Sequence, residues 1–123
     1  MGKKILLTID GAAHDSEVFL NGEKVGEHHC GYTAFTMDIS GVLRYGEKNI
    51  LVVKVDSRED LNIPPFGYVI DYMTYGGIYR DVYLDIKNKD YIEDIFIRTD
   101  IGQMDDQNAE LISEVTVQRT QEG

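Results

Sequence analysis

From Lys3 onward, apolar and polar residues alternate with a period of two along most of the chain, the pattern of strands that present one face to a core. "KKILLTID" places Ile5, Leu7 and Ile9 on one face. "SEVFLNGEKVGEH" supplies two short β-rich arms around Asn21-Gly22, a dipeptide that tolerates the positive φ a type I′ hairpin turn needs at both central residues. "AFTMDIS" alternates Phe35, Met37 and Ile39 against polar neighbours, whereas "SGVLRYGEKN", broken by Gly41 and Gly46, reads as a helical turn or loop. "NILVVKVD" is apolar on both faces for much of its length and rich in β-branched residues, which predicts a central strand covered on both sides, the best-buried of the set.

After Asp56 the pattern changes. "SREDLNIPPFG" combines charges with a Pro-Pro pair and a glycine, a composition that excludes a regular strand and predicts a long surface loop, where function tends to reside. In the following "IDYMTYGGIYRDVYL", Tyr72, Tyr75, Tyr79 and Tyr83 fall at helical spacing, but Gly76 and Gly77 would each cost a helix about 1 kcal/mol. From Tyr79 strand alternation resumes, with Val82, Leu84 and Ile86 on one face and Tyr83, Asp85 and Lys87 on the other. The tyrosine run therefore reads as loop passing into sheet. "KNKD" resembles a linker, and beyond it "YIEDIFIRTDI" and "AELISEVTVQRT" are two further strands joined by the polar "GQMDDQN", the second with Leu111, Val115 and Val117 on one side. Many short strands separated by glycine-containing turns predict an all-β sandwich with little helix.

Length and charge narrow the function classes. The 123 residues suffice for one domain with a real core. A formal net charge of −10, with no basic cluster, argues against nucleic acid or an anionic membrane as partner, because the summed field repels polyanions. The single cysteine, Cys30, forms no internal disulfide, so nothing demands an oxidising compartment. There is neither an apolar run of about 18 residues nor an export segment; the compartment stays open, with the cytoplasm favoured. The abrupt start "MGKKILLTID" suggests a piece whose natural N-terminus lies elsewhere.

"EHHCG" tempts a zinc reading, but adjacent strand residues point to opposite faces and no second cluster supplies the missing ligands, so no metal ligand is assigned. His14, isolated, reads as a turn residue, and the pairs Glu59-Asp60 and Asp105-Asp106 as solvated loop charges. No Ser-His-Asp order, P-loop or dinucleotide fingerprint is present. Continuing the alternation of Val82, Leu84 and Ile86 backward turns Arg80 inward, where its guanidinium must find an acceptor; Asp56, Asp71 and Asp81 are the candidates, and the arginine would pin the loop ends together. Gly76 and Gly77 permit a tight turn just before it. Asp71 with its flanking aromatics then has the make-up of a sugar site: a carboxylate accepts from vicinal hydroxyls while aromatic faces cover ring C–H surface.

"VFLNGEKVGEHHCGYTAFTMDISGVLRYGEKNILVVKV" and "DYMTYGGIYRDVYL" together resemble the N-terminal sugar-binding domain of glycoside hydrolase family 2, which includes β-galactosidases, β-glucuronidases and β-mannosidases. The resemblance runs over about residues 3 to 88: a strand ending in Asn21-Gly22, Val-Gly after it, a Gly-aromatic-Thr-x-Phe step, Asp-Ile with Leu following, Gly-Glu before the last long strand, and the closing tyrosine-rich signature. It implies a jelly-roll β-sandwich of the galactose-binding type over residues 1–88 that lacks its opening strands, with residues 89–123 as a linker and the first strands of an immunoglobulin-like sandwich. It further implies that Asp71 reaches into the active site of a neighbouring (β/α)8 barrel to contact the glycone, and that Arg80 is structural. Cys30 stands where the family has glycine, and the surroundings of Tyr72 and Met73 depart from the sodium-dependent enzymes, so a sodium or magnesium ion would belong to the parent enzyme and no cofactor to this segment. Retaining hydrolysis needs two carboxyl groups roughly 5 Å apart; in the family these are barrel glutamates, so this segment alone is expected to be inactive. The parent would hydrolyse terminal β-glycosides, β-galactosides foremost, with the sugar and linkage left open. The alternative is an autonomous carbohydrate-binding or protein-interaction module on the same sandwich. Exposed strand edges at residues 91–119 would either complete the sandwich or drive a homodimer.

Overall fold

The computed structural model describes residues 2–58, 60–63, 73–100 and 109–119. Among these residues ten strands follow in order: β1 (Lys3–Ile9), β2 (Ala12–Ala13), β3 (Asp15–Leu20), β4 (Glu23–His29), β5 (Phe35–Asp38), β6 (Leu51–Asp56), β7 (Gly77–Ile78), β8 (Val82–Asn88), β9 (Tyr91–Asp100) and β10 (Glu110–Gln118). No helix occurs among the described residues, so Tyr75, Tyr79 and Tyr83 do not form a helical stripe. The chain divides into two compact units, Lys4–Ile86 and a second formed by Met1–Lys3 with Lys87–Gly123.

The first unit is an all-β sandwich, as the alternation requires. One layer has the strand order β5-β1-β8 and the other β4-β3-β6, while the short pair β2-β7 stands apart. Antiparallel pairing sets Leu7 of β1 opposite Met37 and Ile9 opposite Phe35. Val18 of β3 lies opposite Gly26 on one side and Val53 on the other. Ile5, Leu7 and Ile9 of β1 meet Val18 and Leu20 of β3, joined by Ala12, Met37 and Ile39, in one buried cluster. Each large aliphatic side chain withdrawn from water contributes about 1.5–3 kcal/mol, so β1 and β3 carry most of the stabilisation.

Two expectations are corrected. "NILVVKVD" is neither central nor the best-buried strand: β6 lies at the end of the order β4-β3-β6, with Val53 and Val55 packed on the core and Val52 51% exposed. Apolar composition on both faces does not decide a strand's place in a sheet; long-range pairing does, and β3 holds the middle. Val82, Leu84 and Ile86 are likewise half-exposed, Val82 and Leu84 lining an open apolar groove of about 290 Å³ with Leu7, Leu20, Ile39, Leu43 and Leu51. His14 does occupy a bend, but a buried one: it is 3% exposed and its backbone N–H donates to the Asp56 carbonyl at 2.9 Å. Its Nδ1 and the Ser16 Oγ, two residues on, are buried without a partner among the described residues.

The Asn21-Gly22 hairpin forms with φ of +53° and +88°, the left-handed pair a type I′ turn requires. Asn21 also organises the segment read as a turn or loop after Ser40. Its Nδ2 donates to the Val42 carbonyl (3.1 Å) and to Asn49 Oδ1 (2.9 Å), and its Oδ1 accepts from the Ile50 N–H (3.1 Å). Asn49 in turn donates to the carbonyls of Arg44 and Glu47 and accepts from the Arg44 N–H. Two amide side chains thus replace the regular hydrogen bonds these turns lack.

The β3–β4 register slips between Val18 and Phe19, leaving an extra residue on β4 beside Gly26. A β-carbon built at Gly26 would come within 2.5 Å of Met37 Cγ and 2.6 Å of its Sδ, so the glycine makes room for the methionine in the core. Gly26→Ala is expected to destabilise the domain by about 1–2 kcal/mol, the range for overpacking against a side chain that can re-rotamer. A fall in the urea midpoint at unchanged m-value checks it.

The outer surface of the β4-β3-β6 layer is a charge ladder: Glu17 takes Lys24 at 2.8 Å and Lys54 at 2.6 Å, and Lys24 also reaches Glu27 at 2.7 Å. Hydrogen bonds from Lys24 and then Lys54 hold the Glu17 carboxyl down to about 2, from an ordinary value of 4.5. A carboxyl depressed in the folded state contributes its stability above the unfolded value and loses it as pH falls through the folded one. The ladder's contribution is therefore expected to vanish between about pH 4.5 and about pH 2, and Glu17→Gln to flatten that part of the acid limb in denaturant titrations at a series of pH values.

In the second unit β9 and β10 form an antiparallel hairpin, with Val115 opposite Ile95, Ser113 opposite Ile97, Leu111 opposite Thr99 and, past a register shift, Val117 opposite Ile92.

Candidate functional site

The candidate site sits where β6 ends and β7 begins, at the two limbs of the segment that contains Asp71. Asp71 itself, with residues 64–72, lies outside the described residues. The limbs are joined by one hydroxyl. Ser57 Oγ donates to the Ala13 carbonyl at 2.8 Å and accepts the Gly77 N–H at 3.0 Å, while β2 and β7 pair Ala12 with Ile78 and Ala13 with Gly77. Both glycines of the signature are explained by this clasp. A β-carbon at Gly76 would fall 2.7 Å from Ser57 Oγ and 2.8 Å from its Cβ, and Gly77 adopts φ +80°, a conformation that strains any L side chain.

On the β6 side, Asp56 is gripped by Arg58, whose Nε donates to Oδ1 (2.9 Å) and Oδ2 (3.0 Å) and whose Nη2 also reaches Oδ2. Those bonds, the guanidinium's first and the Arg58 amide's next, hold the Asp56 carboxyl well below the usual carboxylate range. Asp60 then accepts from the Asn62 N–H and Nδ2 at 2.8 and 3.1 Å, closing a tight turn whose Ile63 bridges back to Asp60 immediately before Pro64. Asp15, Asp56, Arg58, Asp60 and Ile63 line a concavity of about 430 Å³. Its chemistry is that of hydrogen-bond acceptors: three carboxylates, with the one guanidinium engaged by Asp56.

On the β7 side, Tyr79 and Arg80 lock onto a different loop. Tyr79 Oη donates to the Gly31 carbonyl, Arg80 Nη1 donates to the Tyr32 carbonyl at 2.9 Å, and the guanidinium stands 5.2 Å from the Tyr79 ring centroid, within cation–π range. Both side chains lie against Gly11, where a β-carbon would meet Arg80 Cδ at 3.0 Å and Tyr79 Cζ at 3.2 Å. The inward, carboxylate-paired Arg80 expected from alternation is thus corrected: the residue is exposed and its acceptor is a backbone carbonyl. The reason is local, because β8 begins only at Val82 and strand alternation does not extend back through residues 79–81.

The "EHHCG" residues diverge. His28 stacks on Phe35 at 4.4 Å and shares a 2.8 Å hydrogen bond with Thr33, and burial first, then the neighbouring His29, keep its imidazole below the ordinary value. His29 turns instead to Asp15 across the β3–β4 pair. Burial raises the Cys30 thiol, but hydrogen bonds from Thr33 and from the Tyr32 and Thr33 backbone outweigh it and bring the group below its usual value. Among the described residues no cluster of three His, Cys, Asp or Glu side chains could hold a metal ion.

Of the other residues singled out from sequence, Asn21 and Gly22 lie in their hairpin, away from the clasp. Ser57 was not among them: a serine after a strand end carries no periodic signal, and its two partners are 44 and 20 residues distant. Asn49 could have been noticed within the "GEKN" block, although nothing local reveals that it meets Asn21.

Residues 1–88 match the family model described as the sugar-binding domain of glycosyl hydrolases family 2. The chain is 43% identical over 117 residues to a β-galactosidase of Thermoanaerobacter pseudethanolicus, covering 94% of this chain and 16% of that protein. It is 43% identical over 88 residues to a β-glucuronidase of Bacteroides fragilis, covering 72% of this chain and 12% of that protein. The structure of a β-D-glucuronidase from Dictyoglomus thermophilum aligns with a TM-score of 0.79 at 27% identity, over 94% of this chain and 23% of its own. The chain therefore spans about an eighth to a sixth of the length of these two curated relatives, and over residues 1–88 it belongs to glycosyl hydrolase family 2 as a sugar-binding domain.

Proposed function

We propose that the chain is the non-catalytic sugar-binding domain of a longer retaining β-glycosidase, and that Asp71 contacts the glycone in the active site of a neighbouring barrel. In that enzyme the two catalytic carboxyl groups belong to the barrel, and this domain supplies an acceptor for sugar hydroxyls. The substrate is a terminal β-glycoside with a neutral glycone, of the β-galactoside type. Residues 89–123 are a linker and the first strands of an immunoglobulin-like domain that follows.

The observation that carries this reading is the Ser57 clasp. It gathers the two ends of the Asp71-bearing segment at one point of a rigid sandwich, the arrangement by which a loop residue is delivered to a site outside its own domain. Electrostatics favour the neutral sugar. Between Ser57 and Gly77 the sequence has one cation, Arg58, which Asp56 already engages, against Glu59, Asp60 and Asp71. A uronate would meet acceptors and like charge there. The test is the kinetics of Asp71→Asn in the full-length enzyme on nitrophenyl β-galactoside and β-glucuronide.

A further inference from the structure

We propose that Ser57 is a positioning residue: its hydroxyl fixes the point at which the Asp71-bearing segment leaves the sandwich, and so sets where that carboxylate stands against the glycone. This role rests on the reading of Asp71 as a glycone contact and adds to it a residue that never meets the sugar. Three pieces of chain converge on the hydroxyl. β2 and β7 are short, and their register sets Ala13 opposite Gly77. Ser57, the residue after β6, donates to the Ala13 carbonyl at 2.8 Å and accepts from the Gly77 N–H at 3.0 Å, so it stands between two groups that the register makes partners.

The two limbs are not anchored alike. Beyond the clasp the β7 limb has further ties to distant chain: the Tyr79 N–H donates to the Gly11 carbonyl at 3.2 Å and Arg80 Nη1 to the Tyr32 carbonyl at 2.9 Å. On the β6 limb the bonds of Arg58 and Asp60 run to Asp56 and Asn62, neighbours in the same limb, so Ser57 makes the last tie to another strand among the described residues. Without its hydroxyl the Ala13 carbonyl and the Gly77 N–H can bond each other directly, as in any antiparallel rung, but neither then holds the exit from β6. Asp56 keeps its own tie, its carbonyl accepting the His14 N–H at 2.9 Å. The layers therefore hold while the exit of the segment is freed. For a group that acts on a substrate, a displacement of about 1 Å can cost about 10²-fold in rate even when its cause lies far from the chemistry.

Ser57→Ala in the full-length enzyme is expected to lower kcat/KM on its preferred nitrophenyl β-glycoside about tenfold. The deciding measurement is the cycle with Asp71→Ala, which has no carboxylate left to place. In that background Ser57→Ala changes kcat/KM by less than about twofold, while any shift it makes in the melting temperature is the same in both backgrounds. A serine that only supports the fold lowers activity by the same factor with and without Asp71, and that result overturns the proposal. So does a Ser57→Ala enzyme within about twofold of wild type where Asp71→Ala causes a large loss, an outcome that leaves the role of Asp71 standing. An Asp71→Ala enzyme with wild-type kinetics removes the reading on which Ser57 depends, and both fall together.

Discussion

Asp71→Asn in the full-length enzyme is expected to lower kcat/KM by about 10²- to 10³-fold on the preferred β-glycoside, with the melting temperature unchanged within error. The magnitude follows from chemistry alone. A carboxylate that accepts from two sugar hydroxyls makes two charge-assisted hydrogen bonds, each about 1.5–3 kcal/mol, and the amide keeps one neutral acceptor while turning its other atom into a donor where none fits. A loss of about 3–4 kcal/mol corresponds to two to three decades in rate. If Asp71 contacts the glycone equally in ground and transition states, KM rises; if its contacts tighten as the ring distorts, kcat falls. A variant within threefold of wild type in kcat/KM would remove Asp71 from the site, whereas a large loss confined to the glucuronide would reverse the assignment of a neutral glycone.

The largest effect on stability is expected at Asn21. Asn21→Ala should cost the sandwich about 3 kcal/mol, combining three lost hydrogen bonds to Val42, Asn49 and Ile50 with the strain of an alanine at φ +53°. Asn21→Gly separates the two causes. It keeps the left-handed conformation free of strain and loses only the hydrogen bonds, so it should cost about 1 kcal/mol less than alanine. Equal urea midpoints for the two variants would mean that conformation contributes nothing and that the amide network dominates. A wild-type midpoint in Asn21→Gly would show that the network contributes nothing.

How far the fold can be read from the chain depends on the range of each interaction. Ile5, Leu7 and Ile9, or Phe35, Met37 and Ile39, declare their strands because a period of two is a local property, and Asn21-Gly22 declares its turn for the same reason. The position of β6 is not local. Its valines and leucine look like a covered central strand, yet β3, polar from Asp15 to Glu17 and apolar only from Val18 to Leu20, takes the middle because Val18 pairs with Gly26 on one flank and Val53 on the other. Arg80 shows the opposite limit, where a correct period was carried two residues past the point at which the strand starts. The clasp at Ser57 and the Asn21–Asn49 contact join residues 20 to 44 positions apart through side chains, and no window of the sequence displays such pairs. Asp71 rests on its chemistry and the family signature alone and lies outside the described residues.

One serine hydroxyl between the Ala13 carbonyl and the Gly77 amide has a consequence for how this domain can change over evolutionary time. The closure is made at the neck by the Ser57 hydroxyl, and each doubling of a flexible loop's length adds only about 0.6 kcal/mol of closure entropy. The length and composition of the stretch between Ser57 and Gly77 can therefore change without rebuilding the frame that closes it.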